Sequence, residues 1–284
     1  MTVRSEPLFL FGPGYSATAL AALWDGDAYG TVRSAKSRAA LAGTDIKPIS
    51  IEDKNALFER LKSAHLLISA PPSADGCPAH PLLGDHAQQA SSVTFLSSSG
   101  IYCYLAGGLA MEWSAPNPQS DRAKRRAAAE QTWLAAHERV RVVRLPGIYG
   151  PGRSALERVV AGKARRIVKP GQVFSRAHVA DIASGLKALI LSHAYGVFNL
   201  CDDEAAPPQD VITYAADLLK QTPPPEIAIE NADLTPMGQS FYGECKRVSN
   251  ARIKATSGWR PLFPTYREGL KAIFDAAFSS SPRP

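Results

Sequence analysis

The feature that most constrains the fold is an apolar run near the start of the chain, followed by two glycines and a helical pattern. The run covers 8–11, the glycines are Gly12 and Gly14, and the helical pattern covers 18–24. This order predicts a strand, a tight turn and a helix. Glycine lets an anionic group approach the free N–H groups at a helix N-terminus, although in many turns it serves only for a positive φ. We expect a dinucleotide pyrophosphate to bind at Gly12, Gly14, Tyr15 and Ser16.

The end of the second predicted strand, at 28–32, carries basic and hydroxyl side chains and no carboxylate. A site for NAD usually has an Asp or Glu at this point to bind the ribose 2′-hydroxyl, whereas the 2′-phosphate of NADP requires cations and hydrogen-bond donors. Arg33 and Ser34 meet that requirement, and Lys36 and Arg38 follow them. The pattern favours NADP over NAD as the cofactor. The alternative is the basic, solvated start of a surface helix.

Strand-like and helical patterns alternate through the first half of the chain. Apolar runs at 47–51, 65–70, 93–98 and 140–145 alternate with helical patterns at 38–41, 55–63, 80–90 and 123–136. The alternation predicts an α/β fold with a doubly wound parallel sheet of the Rossmann type. Ligands of such sheets bind beyond the carboxyl ends of the strands, so Ser69, Ala70, Pro71 and the serines at 97–99 are expected to face the cofactor cleft. Serine and proline are also typical of ordinary turns.

The chain after residue 150 mixes irregular, proline-containing segments with further regular elements. Prolines cluster at 206–208 and 223–225, whereas 178–191 predicts a helix and 196–200 a strand. We therefore predict an NAD(P)-binding Rossmann domain at 1–150, with its sheet completed by about 178–202 and 245–258. Residues 151–284 are predicted to form mainly a small C-terminal substrate lobe, interleaved with the sheet.

The composition excludes several classes of protein. The 284 residues are 45% hydrophobic and 20% charged, which suits a globular chain, and no segment is apolar for long enough to span a membrane. The start leads directly into the first strand without a signal region, so we expect a cytoplasmic protein. The four cysteines lack metal-binding spacing, and we expect reduced thiols and no metal site. The net charge of +6 comes without a nucleic-acid-binding motif, so a small anionic ligand explains it better than DNA or RNA.

Several motifs together resemble a known family. They are the glycine turn at 12–14, the run at 97–102, the run at 144–152, the run at 176–182 and the segment at 246–250. Along nearly its whole length the chain resembles the extended short-chain dehydrogenases/reductases, in the nucleotide-sugar epimerase/dehydratase group and its atypical bacterial relatives. The resemblance implies a nicotinamide cofactor and a small anionic or sugar-nucleotide-like substrate.

The resemblance also implies a catalytic set, from which this chain departs. Members of the family use a Ser or Thr, a Tyr as general acid/base, and a Lys four residues after the Tyr. Ser98 matches the first, but Arg122 and Arg126 stand at the Tyr and Lys positions when the helix is aligned through Glu130. A guanidinium stays protonated to above about pH 12 and cannot cycle a proton. Arg126 could instead donate to ribose hydroxyls and Arg122 bind a substrate carboxylate or phosphate, unless both lie on a solvated helix face.

Other side chains near the expected cleft are candidates for proton transfer or substrate contact. Tyr102, Tyr104, Tyr149 and His178 can carry a proton, although each is more typical of packing, and His178 with Asp181 is also typical of a helix start. The resemblance places Pro146, Gly147 and Ile148 against the nicotinamide. The substrate-binding residues that we predict are Tyr102, Arg153, Arg176 and His178.

Two hypotheses for the function remain open. The first is an NADP-dependent oxidoreductase or epimerase-like enzyme with a non-standard active site made of Ser98, Arg122 and Arg126. The second is a catalytically silent NADP-binding regulatory or scaffold protein. The loss of Tyr and Lys favours the second. The retention of Ser98, of the segment 146–152 and of Arg153 and Arg176 as anion-binding candidates favours the first. The resemblance further implies a homodimer that pairs through the helix at 123–136.

Overall fold

The computed structural model describes residues 5–102 and 105–278. Its strands, in chain order, are β1 (Leu8–Phe11), β2 (Ala28–Val32), β3 (Ile46–Ser50), β4 (His65–Ile68), β5 (Ser92–Ser98), β6 (Leu109–Ala110), β7 (Val140–Leu145), β8 (Gly147–Tyr149), β9 (Arg166–Val168), β10 (Arg176–His178), β11 (Gly196–Asn199), β12 (Glu226–Ala228) and β13 (Arg247–Val248). Its helices are α1 (Tyr15–Ala21), α2 (Ala35–Ala39), α3 (Lys54–Leu61), α4 (Ala79–Leu83), α5 (Asp121–Ala136), α6 (Ala155–Val160), α7 (Val179–Leu191), α8 (Pro208–Leu218), α9 (Pro236–Tyr242), α10 (Ala251–Ser257) and α11 (Tyr266–Ala277).

A parallel sheet of seven strands forms the centre of the molecule, in the order β11-β7-β5-β4-β1-β2-β3. β1 is apolar and fully buried, because a central parallel strand is covered by helices on both faces. Its side chains alternate between two cores, with Leu8 and Leu10 in one and Phe9 and Phe11 in the other. The strand order reverses between β1 and β4, which opens a crevice for a ligand at their carboxyl ends.

Helices cover both faces of this sheet. α1 and α7 pack on one face, where Leu20 and Leu186 belong to the same core as Leu8. α3, α4 and α5 cover the opposite face, where Leu57 and Trp133 belong to the same core as Phe9. The arrangement confirms the predicted doubly wound α/β fold.

The second half of the chain contributes both to the sheet and to a separate core. α7 and β11 come from 178–202 and join the sheet beside β7, whereas a third core lies among α6, α8 and α11. The segment 245–258 does not enter the main sheet. Its short strand β13 pairs with β6, and its helix α10 packs near α7. The division into a Rossmann domain and a substrate lobe stays a prediction.

Two predicted helices differ from the observed ones. The pattern at 80–90 is split into α4 and a 3₁₀ turn at 84–89, because Gly84 adopts φ 42° and ends the α-helix. The helix predicted at 38–41 lies earlier, as α2, because Ser34 and Ser37 form a capping box that fixes its start. Among the described residues, no helix has the length and apolarity needed to cross a bilayer.

Candidate functional site

The glycine turn after β1 is held by two neighbouring strands. Gly12 has φ 70°, and a Cβ placed on it would lie 2.7 Å from the Ala70 Cβ. Its N–H donates to Thr31 Oγ1 at 2.9 Å, and the Ser69 hydroxyl donates to its carbonyl at 2.5 Å. Pro71, the residue after Ala70, is exposed. The predicted segment 69–71 therefore lies against Gly12 and fixes the turn.

Gly14 has open surroundings. It caps α1 in an extended conformation, and the nearest atom to a Cβ placed on it is the Gly12 carbonyl oxygen at 4.0 Å. The first N–H groups of a helix have no acceptor within the helix, and the helix dipole favours an anion at this end. The turn therefore fits a dinucleotide pyrophosphate, which would approach the backbone on the side where Gly14 has no side chain.

Tyr15 connects the glycine turn to the segment after β7. Its hydroxyl donates to the Pro151 carbonyl at 2.8 Å, and its ring lies 6.0 Å from the Arg153 guanidinium. Burial raises the pKa of this phenol, so the hydroxyl keeps its proton as a donor. Ser16 is buried in the first turn of α1.

The end of β2 exposes the predicted 2′-phosphate residues. Arg33 is exposed and forms no ion pair with the described part of the chain. Ser34 caps α2 and accepts the Ser37 N–H at 3.2 Å, so its hydroxyl is partly engaged in the capping box. Arg33 is therefore the freer of the two groups for an anionic ligand.

A cavity of about 560 Å³ lies beyond the carboxyl ends of β5 and β7, between the sheet and the second half of the chain. The predicted residues that line it are Ser98, Arg122, Arg126, Pro146, Gly147, Ile148, Arg153 and Arg176. The predicted residues of the glycine turn, of the end of β2 and of 69–71 line neither this cavity nor the one beside it. The structure thus gathers the catalytic and nicotinamide-contacting candidates in one place and leaves the pyrophosphate and 2′-phosphate candidates outside it.

Helix α5 supplies the two arginines. Ser120 caps it, and Arg122 and Arg126, one turn apart, both line the cavity, whereas Lys124 is exposed and does not. The Arg126 guanidinium donates to the Leu96 carbonyl on β5 at 2.8 Å, and its Nε finds no hydrogen-bond partner in the part of the chain that the structure describes. Burial, with the nearby Arg122 charge, lowers the Arg126 pKa.

A buried ion pair sets the position of α5 on the sheet. Glu130 lies two turns after Arg122 and accepts hydrogen bonds from Arg144 on β7, with a shortest distance of 2.7 Å. Their side chains are 1% and 4% exposed. The second guanidinium nitrogen of Arg144 donates to the Tyr102 hydroxyl at 2.9 Å. Glu130, used above only for alignment, is therefore a structural anchor.

Ser98 ends β5 at the wall of the cavity. Its Oγ accepts the Gly100 N–H at 3.1 Å. Since this bond uses a lone pair, the hydroxyl hydrogen remains available to an acceptor in the cavity.

Two predicted substrate residues do not reach either cavity. The Tyr102 hydroxyl donates to Asn199 Oδ1 at 2.8 Å and accepts from Arg144, and burial raises its pKa despite that guanidinium. His178 caps α7, its Nδ1 accepting the Ala180 N–H at 3.2 Å, and burial lowers its pKa to about 4. Both side chains form hydrogen bonds within the fold and line neither cavity, so their assignment to substrate binding stays a prediction.

The remaining candidates for proton transfer are similarly placed. The Tyr149 hydroxyl lies 3.5 Å from the Thr265 carbonyl, its pKa is raised by burial, and it borders only the second cavity. Tyr104 and Cys103 lie outside the described residues. The other cysteines, Cys77, Cys201 and Cys245, are buried free thiols.

A second cavity of about 850 Å³ adjoins the first and is strongly basic. Arg153 and Arg176 line both cavities. Arg176 is fixed by donation to the carbonyls of Phe174 and Ala206 at 2.8 and 3.0 Å. The other cations of the second cavity are Arg158, Lys163 and Arg165, against the carboxylates of Glu157 and Asp233.

Sequence reasoning missed the contributions of α9 and of the segment before β13. Met237 and Phe241 of α9 line both cavities, and Phe241 stacks on Phe174 with ring centres 3.7 Å apart. Glu244 and Lys246 line the first cavity. The signal that could have identified Lys246 is the motif at 246–250, which supported the resemblance but was given no role.

Comparison with solved structures gives the family. A conserved protein of unknown function from Silicibacter pomeroyi is 40% identical, covers 97% of this chain and 100% of its own, and has a TM-score of 0.89. The two proteins belong to one family. The dTDP-glucose 4,6-dehydratase of Bacillus anthracis in complex with NAD is 15% identical, with a TM-score of 0.75 and coverage of 96% of this chain and 97% of its own. This is the extended short-chain dehydrogenase/reductase fold.

A curated relative of this chain comes from Streptomyces. It is a 3-diazoavenalumate denitrifying reductase, 30% identical over 158 residues. The match covers 51% of this chain and 51% of the relative, so the chain spans about half the length of the curated relative that it matches. No protein-family model matches the chain.

Proposed function

We propose that the protein is an NAD(P)-dependent oxidoreductase or epimerase-like enzyme with a non-standard active site. The observation that carries the proposal is the cavity of about 560 Å³. It brings Ser98, Arg122 and Arg126 together with the segment 146–148, which the family resemblance places against the nicotinamide. A cavity at the carboxyl ends of the strands is where a doubly wound fold carries its chemistry.

The cofactor would be held outside this cavity by the glycine turn and the end of β2. Gly14 and the start of α1 suit the pyrophosphate, and Arg33 suits a 2′-phosphate, so the proposal favours NADP over NAD. The NAD held by the Bacillus anthracis dehydratase supports a nicotinamide cofactor in general. When bound, a reduced nicotinamide supplies a hydride.

The proposed substrate is a small anion or a sugar-nucleotide-like compound. Arg122 and Arg126 line one cavity, and Arg153 and Arg176 border both. Cations that outnumber carboxylates in a partly enclosed space favour an anionic ligand. The dehydratase takes a sugar nucleotide by its name, whereas the Streptomyces reductase is named for 3-diazoavenalumate, and both names denote anions.

Three side chains of the cavity have separate proposed roles. Ser98 keeps a hydroxyl hydrogen for a substrate oxygen, because its Oγ already accepts from Gly100. Arg122 binds the anionic part of the substrate, since a guanidinium holds a carboxylate through two hydrogen bonds and does not release a proton. Arg126 bonds to the Leu96 carbonyl and keeps donors for a ribose hydroxyl.

A catalytically silent NADP-binding protein is the second candidate. The specific observation in its favour is that Arg122 and Arg126 occupy the positions of the family's Tyr and Lys. This candidate predicts cofactor binding without turnover of any carbonyl or alcohol.

Calorimetric titration with NADPH and with NADH tests the cofactor assignment. We expect NADPH to bind more tightly, and Arg33→Ala to weaken it at least about tenfold, or about 1.4 kcal/mol, while NADH is little affected. Arg139→Ala is the matched control, because Arg139 is exposed and precedes β7 at the opposite end of the strand from the cavity. Binding of neither nucleotide would contradict the proposal, and an equal loss in both variants would contradict the role of Arg33.

A further inference from the structure

Lys246 is a buried lysine in the wall of the first cavity. Its side chain is 6% exposed, and its Nζ donates to Glu244 Oε2 at 2.5 Å and to the Tyr102 carbonyl at 3.4 Å. The backbone around it is fixed by a bridge to Phe174 and by β13. An ammonium has three N–H donors, so the two protein acceptors leave one for a ligand.

Ser98 and Glu244 meet at the same part of the cavity. A Cβ placed on Gly100 would lie 3.3 Å from Ser98 Oγ and 3.4 Å from Glu244 Oε1. Because Gly100 carries no side chain, the space between Ser98 Oγ and Glu244 Oε1 is not filled by a Cβ. A substrate oxygen bonded to Ser98 would therefore lie near the Glu244 carboxylate, which accepts a hydrogen bond from Lys246 Nζ.

The lining of this cavity offers few other proton donors. Among the residues that the structure describes, its ionisable side chains are Arg122, Arg126, Arg153, Arg176, Glu244 and Lys246. Arginine does not release its proton in the range of enzyme function, and serine hydroxyls hold theirs as strongly as water. Tyr102 is committed to Arg144 and Asn199. Within the described part of the chain, the Glu244–Lys246 pair is thus the candidate for the family tyrosine's role.

We propose that Lys246 is the proton donor to the substrate and that Glu244 is its positioning residue; this inference rests on the proposed function. In reduction of a carbonyl, the carbon receives the hydride, the C=O π bond breaks toward oxygen, and the oxygen takes a proton from Lys246 Nζ. The carbonyl becomes an alcohol, and the neutral amine regains a proton from water. Ser98 holds the same oxygen by a hydrogen bond during the step.

Trapping by an aldehyde tests the location of Lys246 without any cofactor. The protein is treated with 4-carboxybenzaldehyde and cyanoborohydride, and the modified lysines are identified by mass spectrometry. We expect Lys246 to be modified at least about tenfold faster than Lys254, although it is the more buried, because the bound carbonyl lies at its Nζ. Lys254 is the matched control, since it is also paired with one carboxylate, that of Asp203, and borders neither cavity. Modification of Lys246 no faster than of Lys254 overturns the proposal.

Kinetics with the same aldehyde and NADPH test the proton transfer. We expect Lys246→Met and Lys246→Arg each to lower kcat about 100-fold or more, which is the usual size of a general-acid contribution. Lys246→Arg should keep KM near the wild-type value, because it keeps the charge and the donors. Lys254→Met should leave both constants unchanged, and Glu244→Gln, which retains an oxygen for the ammonium, should retain more of kcat than Glu244→Ala.

The outcomes separate the two proposals. An unchanged kcat in Lys246→Arg would show that proton donation lies elsewhere and overturn the inference while the proposed function stands. Failure of the wild-type protein to bind NADPH by calorimetry contradicts the proposed function instead. A wild-type protein that binds NADPH but does not reduce the aldehyde, with no preferential trapping at Lys246, also overturns the inference.

Discussion

At the scale of single residues, the exchange of two side chains alters the chemistry that the cavity can perform. By the family resemblance, Arg122 and Arg126 stand at the positions of a proton carrier and a ribose ligand, but a guanidinium serves only as a donor and a positive charge. The spacing in the sequence was enough to predict that both face the same side of α5, and both line the cavity. What the sequence could not supply was the identity of the group that replaces the tyrosine.

His178 is a residue whose surroundings were not predictable from its motif. Its ring lies 4.3 Å from that of Phe263 and 5.2 Å from that of Tyr149, and its Nε2 has no hydrogen-bond partner among the described residues. These contacts come from segments about 30 and 85 residues away, so nothing local in the sequence indicates them. The motif at 176–182 did indicate a helix start, and His178 is the N-cap of α7.

The pKa of His178 predicts acid lability. Burial lowers it to about 4 from an ordinary value of 6.5, so the unfolded chain binds the proton more readily between these two values. The stability contributed by neutral His178 is present above pH 6.5 and is lost as the pH falls through 4, with a maximum loss of about 3 kcal/mol. His178→Asn keeps a side-chain oxygen for the cap but removes the titrating ring. We expect its melting temperature to fall less than that of the wild type between pH 6.5 and 4.5, as measured by circular dichroism; an equal fall would contradict the assignment.

At the scale of elements, the turn between β1 and α1 contains two glycines, and a different structural constraint favours glycine at each. Gly12 has a positive φ and a neighbouring strand in contact, whereas Gly14 has an ordinary φ and open space. The sequence predicts the turn but not this difference, because it depends on Ala70 at the end of β4.

Alanine substitutions should separate the two roles. Gly12→Ala places a methyl group against Ala70 in a strained conformation, and we expect it to cost about 2 kcal/mol or more of stability. Gly14→Ala meets no atom, so its stability should change by less than about 1 kcal/mol, the usual difference at an N-cap, while NADPH binding weakens at least about tenfold. Thermal unfolding and calorimetry measure the two effects. Gly43→Ala, at φ 78° with nothing within 4 Å, gives the cost of the conformation alone.

The elements of the sheet were easier to predict than those around the cavity. Buried parallel strands are continuous apolar runs, and their positions agree with the predicted ones to within a few residues. α9 and β13 were not predicted, since a helix of seven residues and a strand of two carry too little periodicity to stand out. These elements bring Phe241 and Lys246 to the cavity, so the site was only partly predictable.

At the scale of the whole molecule, the cavity lies where the sheet meets the second half of the chain. Ser98 and Glu244 are 146 positions apart in the sequence but line the same cavity. Only the tertiary fold determines that they meet there. The position of the site beyond the strand ends was predictable from topology, whereas the residues that close its other side were not.

The homodimer implied by the resemblance stays a prediction for this chain. One face of α5 is exposed, and its residues are Lys124, Ala128, Gln131 and Ala135. We expect sedimentation equilibrium to give about twice the chain mass of 30.4 kDa, and Ala128→Arg to return a single chain, since a buried unpaired charge opposes association. Ala276→Arg, on the exposed face of α11, is the matched control. A wild-type protein that sediments as one chain contradicts the prediction.

The ion pair between Glu130 and Arg144 has a consequence for how the wall of the cavity can vary. Because it ties α5 to β7 through buried hydrogen bonds, α5 cannot turn about its own axis without breaking them. The direction in which residues 122 and 126 point from α5 is thus fixed by contacts on the sheet-facing side of the helix, whichever residues stand at these two positions. A substitution at either position changes the functional group that faces the cavity but not the direction in which the side chain leaves the helix. A chain of this architecture can therefore exchange its reactive groups one at a time while the scaffold beneath them stays the same.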